Sequence, residues 1–538
     1  MSSNQKYNLF EHQKSGIEFL KKTGKAILAD EMGLGKTRMA IIAAKQTGRG
    51  AVVVCPASLK INWMREIKEV YPNDCIEIVD SSWAGVAPSV PEWLIINYDI
   101  LEKKLGIIEE SIERKFFDTL ILDEAHYIKG KSIRAACIVG GMVKQSGRTV
   151  KQVQKEAIEQ GHCHCNVGMK CPCSAFTVEK KCPCYEALKP NGKKKITGIA
   201  EKMRQVYLLT GTPLLNRPIE LFNLLRAISH PLGKVRTAFA KKYCGAYLQT
   251  IYTRHGILRF VNEQGATNLE QLSYEIKESV LRRKKKEVLN LPEKIVTVME
   301  CELTKEWQKT YDTAWDAYLD WLAKNPMPEK NIDNILLARQ LVEIQKLKQV
   351  CSQAKIARIV SDIRNAVEQG EKVIVFSQYT ETIKQLAETL KVGDKLHGPV
   401  KNVTLTGADD MHERQKAVDG FQNDEKIKVF IANIKAGGVG INLTAASIVI
   451  FADMDWSPEI HNQAEDRAHR IGQKGTVNIY YYICPGTIED DIIDILNSKK
   501  HVMDRILEGG EIEQSAQREF LARLKKKAGD GKAIDKVV

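Results

Sequence analysis

The run DEMGLGKT, Asp30–Thr37, has residue types suited to holding a phosphate chain. Gly33 and Gly35, on either side of Leu34, let the backbone curl so that successive N–H groups face phosphate oxygens. Lys36 can then reach the β- and γ-phosphates, and the Thr37 hydroxyl can ligate magnesium. A helix beginning there adds favourable partial charge. Asp30 stands where the Walker pattern has its first glycine, so the strict pattern is not met. Further along, DEAH (Asp123–His126) follows an apolar run. In such a Walker B element Asp123 would hold magnesium through water and Glu124 would polarise an attacking water. In RAHRIGQ, Arg467 and Arg470 share one helix face and could reach across a cleft to a γ-phosphate, a contribution worth about 10³–10⁵ in rate. Each segment has a plainer reading: a chance turn, a solvated acidic strand end, a surface helix with ordinary ion pairs. Taken in order, they describe a nucleotide site divided between two parts of the chain.

Such a site needs rigid elements on both sides. Short β-branched runs alternate with amphipathic stretches in two blocks, the pattern of parallel α/β sheets. The first block has strand candidates at 26–29, 51–55, 94–97, 119–123 and 206–209. The second has them at 372–376, 403–405, 428–432, 448–451 and 478–483. Between the blocks the pattern turns helical, with Ile335, Leu336, Leu341, Ile344, Leu347 and Val350 marking one apolar face that reads as core packing. Beyond about Ser498 the chain is charged and helix-prone, ending in a lysine-rich tail.

A chain of 538 residues suits roughly three or four domains. No apolar run is long enough to span a bilayer, so no membrane association is expected. The first residues lack a signal pattern, which predicts an intracellular protein: cytoplasmic in a bacterium or virus, nuclear in a eukaryote. The net charge of +13 permits a polyanionic partner without requiring one.

The ordered segments resemble the Swi/Snf (sucrose-nonfermenting) ATPases of helicase superfamily two. Asp30–Thr37 looks like motif I, CPASLKINWMREI (Cys55–Ile67) like motif Ia, and DEAH like motif II. LLTGTPLLNRPIELFNLL (Leu208–Leu225) resembles motif III and its extension, and VIVFSQY (Val373–Tyr379) motif IV. AGGVGINLT (Ala436–Thr444) is similar to motif V and QAEDRAHRIGQ (Gln463–Gln473) to motif VI. The resemblance implies two RecA-like lobes with ATP in their cleft and double-stranded DNA across both. The expected domains are lobe 1 at 1–230, a helical inter-lobe region at 231–350, lobe 2 at 351–500, and a C-terminal helical brace with a basic tail at 501–538.

The resemblance also implies roles for particular residues. Lys36, Thr37, Asp123, Glu124, Arg467 and Arg470 form the ATPase set, Gln13 reads adenine, and Gly440 joins the nucleotide contacts. Thr210 and Thr212 couple hydrolysis to movement. DNA-contact candidates are Ser58 and Lys60, Gln378, Thr406, and Lys435 with Gly437 and Gly438. Trp456 either meets DNA or packs half-buried. Phosphate contacts of this kind predict strong salt sensitivity and little base specificity. The basic run RRKKKE (Arg282–Glu287), followed by Leu291-Pro292, resembles the family's inter-lobe segment and reads as a DNA contact or as a solvated face.

One segment departs from the family pattern. Of 13 cysteines, Cys163, Cys165, Cys171, Cys173, Cys182 and Cys184 crowd together beside His162 and His164, between motifs II and III. In an intracellular chain such Cys-x-Cys pairs point to metal, and thiolate with imidazole suits zinc. An iron–sulfur cluster or free thiols are the alternatives. The expectation is therefore an insert at 145–195 holding structural Zn²⁺ within an otherwise ATP- and Mg²⁺-dependent motor. That motor is read as a monomer moving on duplex or branched DNA and remodelling DNA or DNA-bound proteins. A strand-separating helicase and a non-hydrolysing scaffold are the rivals.

Overall fold

A computed structural model describes residues 9–85, 91–144, 193–211, 218–253, 256–263, 265–289, 291–325, 334–393, 397–437 and 441–494. Two parallel sheets organise it. The first contains β1 (Lys25–Leu28), β2 (Ala51–Cys55), β3 (Ile76–Ile78), β4 (Trp93–Asn97) and β5 (Thr119–Leu122). After an antiparallel two-stranded ladder, β6 (Gly141–Lys144) with β7 (Lys193–Ile196), the chain adds β8 (Gln205–Leu209). A hairpin, β9 (Tyr247–Thr253) with β10 (Gly256–Asn262), precedes a short strand, β11 (Val280–Leu281). The order in the sheet is β11-β1-β8-β5-β2-β4-β3.

The second sheet takes β12 (Lys294–Glu300), β13 (Val373–Ser377), β14 (Asn402–Leu405), β15 (Val429–Asn433), β16 (Ile448–Phe451) and β17 (Val477–Ile483), in the order β12-β17-β16-β13-β15-β14. Residues 231–350 are thus not helical throughout: they supply a hairpin and one edge strand to each sheet.

Both sheets are covered on both faces, as parallel sheets must be. Along β2, Val52 and Val54 enter one core while Ala51, Val53 and Cys55 enter the other. Along β13, Ile374 and Phe376 face one side and Val373 and Val375 the opposite side. The inter-lobe helices Lys305–Lys324 and Asn334–Ala354 pack against the second lobe. Tyr311, Tyr318, Ile344 and Leu347 join Trp456, Ile483 and Ile488 in one cluster. The apolar stripe of the longer helix therefore does pack, at Ile344 and Leu347; the side chains of Ile335 and Leu336 lie outside the described residues.

Two fully buried cations belong to this region, Lys348 within that helix and Lys355 just after it, at the N-cap of the helix Ile356–Glu368. Lys348 Nζ donates to Met454 O (2.7 Å), and Lys355 Nζ donates to both oxygens of Glu489 (2.7 and 2.8 Å) and to Tyr482 O. Burial alone would lower the Lys355 pKa, but the Glu489 carboxylate outweighs it and keeps the ammonium charged. Among the described residues no helix is long and apolar enough to cross a membrane. The expected brace and tail at 501–538 lie outside the described residues.

Candidate nucleotide site between the lobes

The phosphate loop leaves the C-terminal end of β1, the place where open α/β sheets bind ligands. Gly33 and Gly35 have φ of 83° and 79°, a region that favours glycine. Crowding reinforces the choice: a Cβ on Gly35 would sit 2.3 Å from Gln13 Nε2, and one on Gly33 3.0 Å from Arg470 Cβ. The helix Lys36–Thr47 starts immediately after. Lys36 Nζ donates to the carbonyls of Asp30 (2.7 Å) and Glu31 (3.2 Å), so the ammonium rests on its own loop. Burial lowers the Lys36 pKa, opposed by Glu124, Asp30 and Asp123. Thr37 is partly exposed beside it. Gln13 lies against the loop, its amide nitrogen 3.4 Å from Leu34 O.

Asp30 is fully buried and paired with Arg283, whose Nε lies 3.0 Å from Oδ1. This pairing explains how an aspartate is tolerated at a glycine position: a buried carboxylate needs a fixed cation.

The acidic pair follows β5, two strands from β1 across β8. Trp63 Nε1 donates to Asp123 Oδ2 (2.8 Å), and Tyr98 donates its hydroxyl to Asp123 O (2.8 Å). Glu124 takes φ of 50°, left-handed for a non-glycine residue, and its N–H donates to Asp123 Oδ1 (3.0 Å). Burial, with the neighbouring Glu124 charge, pushes the Asp123 pKa up to about 6. For Glu124 burial acts upward as well but is overcome by His126, whose Nδ1 lies 3.2 Å from Oε2, and by Lys36 and Arg467, so its pKa falls.

The arginine segment of the second lobe closes the site. Arg467 is 6% exposed, and its Nε donates to Gln463 O (3.1 Å). Burial and Arg470 bring its pKa down to about 10, against the opposing pull of Glu124 and Asp123. Arg470 faces Glu66 and Asp466. Lobe 1 thus presents the phosphate loop and two carboxylates, and lobe 2 presents two guanidiniums to them.

The residues fit a magnesium nucleotide. The two glycine positions leave a cradle that a side chain would fill, and Glu124 Oε2 is a buried carboxylate oxygen 3.2 Å from His126 Nδ1. Thr37 and Asp123 are the groups that would hold the ion.

The DNA-contact candidates divide. Lys435 is exposed, 3.5 Å from Asp455 Oδ2, and Ser58 is partly exposed in a short turn. Thr406 donates its hydroxyl to Asp409 (3.0 Å). Lys60 is buried with Nζ on Val79 O (3.0 Å). Gln378 donates through its backbone to Asp453 (2.8 Å) and through its side chain to Met454 O. Gly437 packs against Phe376, and Trp456 is buried beneath Lys348 Nζ, 4.7 Å from its ring. Thr210 is buried, its N–H on Leu28 O. Thr212, Gly438 and Gly440 lie outside the described residues.

So do the metal-ligand candidates His162, Cys163, His164, Cys165, Cys171, Cys173, Cys182 and Cys184. Their segment enters and leaves through the β6–β7 ladder, where Lys144 pairs with Lys193. Among the described residues Cys351, Cys484 and Glu489 also converge, but Glu489 is already engaged by Lys355 and by the Cys484 N–H, a poor setting for a cation.

Three contributors were not foreseen as site residues: Trp63, Arg283 and Lys285. Lys285 Nζ donates to Asp466 Oδ1 (2.6 Å) and to His469 O (3.0 Å). The run Arg282–Lys286 therefore puts two of its cations into the nucleotide cleft. A buried carboxylate at a glycine position was the available signal for Arg283.

Two parallel α/β lobes with a phosphate loop and acidic pair on one, and paired arginines on the other, define a two-lobed nucleotide-binding protein of the helicase type. The SNF2-related domain model matches residues 12–144 and 189–357, and the helicase conserved C-terminal domain matches 354–472. The chain belongs to the SNF2-related family. The match breaks at 145–188, across the cysteine-rich segment.

Among curated relatives, the human DNA annealing helicase and endonuclease ZRANB3 is 27% identical over 93% of this chain and 40% of its own length. A Caenorhabditis elegans homologue of SWI/SNF-related matrix-associated actin-dependent regulator of chromatin subfamily A-like protein 1 is 29% identical over 93% of this chain and 62% of that one. An uncharacterized ATP-dependent helicase of Mycoplasma genitalium is 27% identical over 94% and 43%. The chain thus spans less than two thirds of these relatives. A solved Sulfolobus solfataricus SWI2/SNF2 ATPase core in complex with dsDNA shares 22% identity, with coverage of 96% and 95% and a TM-score of 0.37.

Proposed function

We propose that this chain is an ATP-dependent double-stranded-DNA translocase that couples hydrolysis to movement on duplex or branched DNA and so remodels DNA or protein–DNA complexes. The observation that carries the reading is the meeting of Lys36, Asp123, Glu124, Arg467 and Arg470 in one cleft built from both lobes. Family membership and the DNA-acting names of the relatives support DNA as the track.

In this reading Lys36 leaves its loop carbonyls for the β- and γ-phosphates, and the loop N–H groups cradle the same oxygens. Glu124 orients a water and takes its proton as the oxygen attacks the γ-phosphorus and the β–γ bridging bond breaks. Arg467 and Arg470 offset the charge that develops on the γ-phosphoryl oxygens. Thr37 and Asp123 would hold magnesium, which would supply neutralisation of the phosphate charge. Because the arginines and the carboxylates belong to different lobes, product release is free to loosen the cleft and shift one lobe along the duplex.

For the segment His162–Cys184 the reading is a structural zinc site, supported by its ligand chemistry and by its position outside the family match.

The test is ATP hydrolysis at fixed low salt with no nucleic acid, single-stranded DNA, duplex, forked DNA or RNA. Selective stimulation by duplex or forked DNA, lost in Lys36→Ala, is expected; Glu124→Gln should bind ATP and stall. Stimulation mainly by single strands or RNA would favour a strand-separating or RNA motor. No turnover under any condition would leave a scaffold.

A further inference from the structure

The run Arg282–Lys286 alternates in direction. Arg283 and Lys285 turn inward while Arg282, Lys284 and Lys286 are exposed, as the extended backbone at Lys284 (φ −93°, ψ 150°) dictates. Lys285 makes contacts on both sides of the cleft. Its backbone N–H donates to Glu31 Oε2 (2.7 Å) in the phosphate loop, and its Cε would lie 3.3 Å from a Cβ on Gly33. Its ammonium holds Asp466 and His469 O, neighbours of Arg467 and Arg470 respectively. The same segment continues along lobe 2: His469 Nε2 lies 2.8 Å from Pro292 O, and Lys294 pairs with Glu465 at 2.7 Å.

We propose that Lys285 is a positioning residue for ATP hydrolysis, fixing how far Arg467 and Arg470 reach toward the phosphate loop. The inference rests on the hydrolytic reading above. The side chain is almost wholly enclosed; burial pulls its pKa down, and the charges of Asp466 and Glu31 oppose that pull. Without the ammonium, Asp466 and His469 O both lose a donor in the segment that bears the arginines. Charge-stabilising donors act only when aimed at the developing charge. A displacement near 1 Å in such a group costs on the order of 10²-fold in rate. Ground-state nucleotide binding, which depends on the phosphate loop and on a backbone contact that an alanine retains, should change little.

The experiment compares wild type, Lys285→Ala and Lys285→Arg by duplex-stimulated ATPase kinetics and by hydrogen–deuterium exchange across 463–473 without nucleotide. Lys285→Ala is expected to lose roughly 10–100-fold in kcat, with KM for ATP within about threefold. Exchange should quicken in the arginine segment, and Lys285→Arg, which can still reach Asp466, should restore most of both. Asp466→Asn removes the same pair from the other side should Lys285→Ala fail to fold. Unchanged kcat in Lys285→Ala, a rise in KM alone, or unchanged exchange would overturn the inference. If wild type shows no turnover, the hydrolytic reading fails, and the exchange result alone decides whether Lys285 holds the arginine segment.

Discussion

Arg65 and Asp419 grip one another across the two lobes as a bidentate pair, with nitrogen–oxygen distances of 2.8 and 2.9 Å. Arg65 lies on the helix Lys60–Val70 of lobe 1 and Asp419 on the helix Met411–Asn423 of lobe 2. Hydrogen bonding to Arg65 lowers the Asp419 pKa. Both side chains are nearly half exposed, so the pair is worth about 0–1 kcal/mol toward closure. Arg65→Asp should reduce ATPase activity by less than about tenfold at low salt, and the swap Arg65→Asp with Asp419→Arg should recover it. Raising ionic strength should erase the difference. A swap no better than the single variant would mean that the pair plays no part in closure.

Trp63 reaches the acidic pair from inside the core, fully buried and donating to Asp123. Trp63→Phe keeps the ring and loses the donor, leaving Asp123 less stabilised as a carboxylate. Groups that support a metal ligand typically contribute 10–100-fold in metal affinity. The expected result is a roughly tenfold higher half-saturating magnesium concentration in ATPase titrations. An unchanged titration would reduce Trp63 to packing.

His461 is buried against Phe451 and Tyr481, and its Nε2 accepts from the Asp455 N–H at 3.0 Å. Burial lowers its pKa from the ordinary 6.5, opposed by Asp455 and Glu465, while Lys348 acts in the same direction as burial. The folded chain then binds fewer protons here than the unfolded chain, so stability is complete above the unfolded pKa and is lost as pH falls toward the folded one. His12, His230 and His469 shift in the same sense. Tm should therefore drop between about pH 7 and pH 5, with a shallower slope in His461→Gln. Equal slopes would transfer the effect to the other three.

The β6–β7 ladder lets the cysteine-rich segment be removed cleanly. Lys144 and Lys193 are cross-strand partners, so a two-residue Asn-Gly turn can join them. Gly140 and Gly198 pack the base of the ladder so closely that a Cβ on Gly198 would lie 2.3 Å from Gly140 N. The shortened chain should fold with Tm within about 5 °C of the parent. Elemental analysis should find zinc in the parent and none in the shortened chain. Iron, or no metal in either, would overturn the zinc reading, and unchanged DNA-stimulated ATPase would deny the segment a motor role.

Much of this architecture was legible in the residues. The ten strand candidates each fall within one residue of an observed strand, because buried parallel strands are continuous apolar runs bounded by turns. Strands defined by their partners escaped notice. The two residues of β11 become a strand by lying beside β1, and β12 is largely exposed, so apolar patterning did not announce it. In the site, Lys36, Asp123 and Glu124 were readable from local spacing; Arg467 and Arg470 do reach the cleft, but from the turn that follows the helix Pro458–Glu465 and not from one helix face as their spacing predicts. Arg283 and Lys285 were hidden in a charge run, because what they do is set by Asp30 and Asp466, far away in the chain.

The inter-lobe segment that lends β11 to one sheet and β12 to the other also imposes an order of assembly on the growing chain. Lobe 1 lacks an edge strand, and Asp30 its cation, until residues 280–283 have left the ribosome. β12 must then wait for β17, at Val477–Ile483, to be made before it has a neighbour. During that interval Ile295, Val296 and Val298 belong to an unpaired strand, the kind of nascent segment that invites mispairing. Expression fragments cut at residue 230 would inherit the first defect permanently. Fragments cut after Glu300 would complete lobe 1 but carry that orphan strand as their tail.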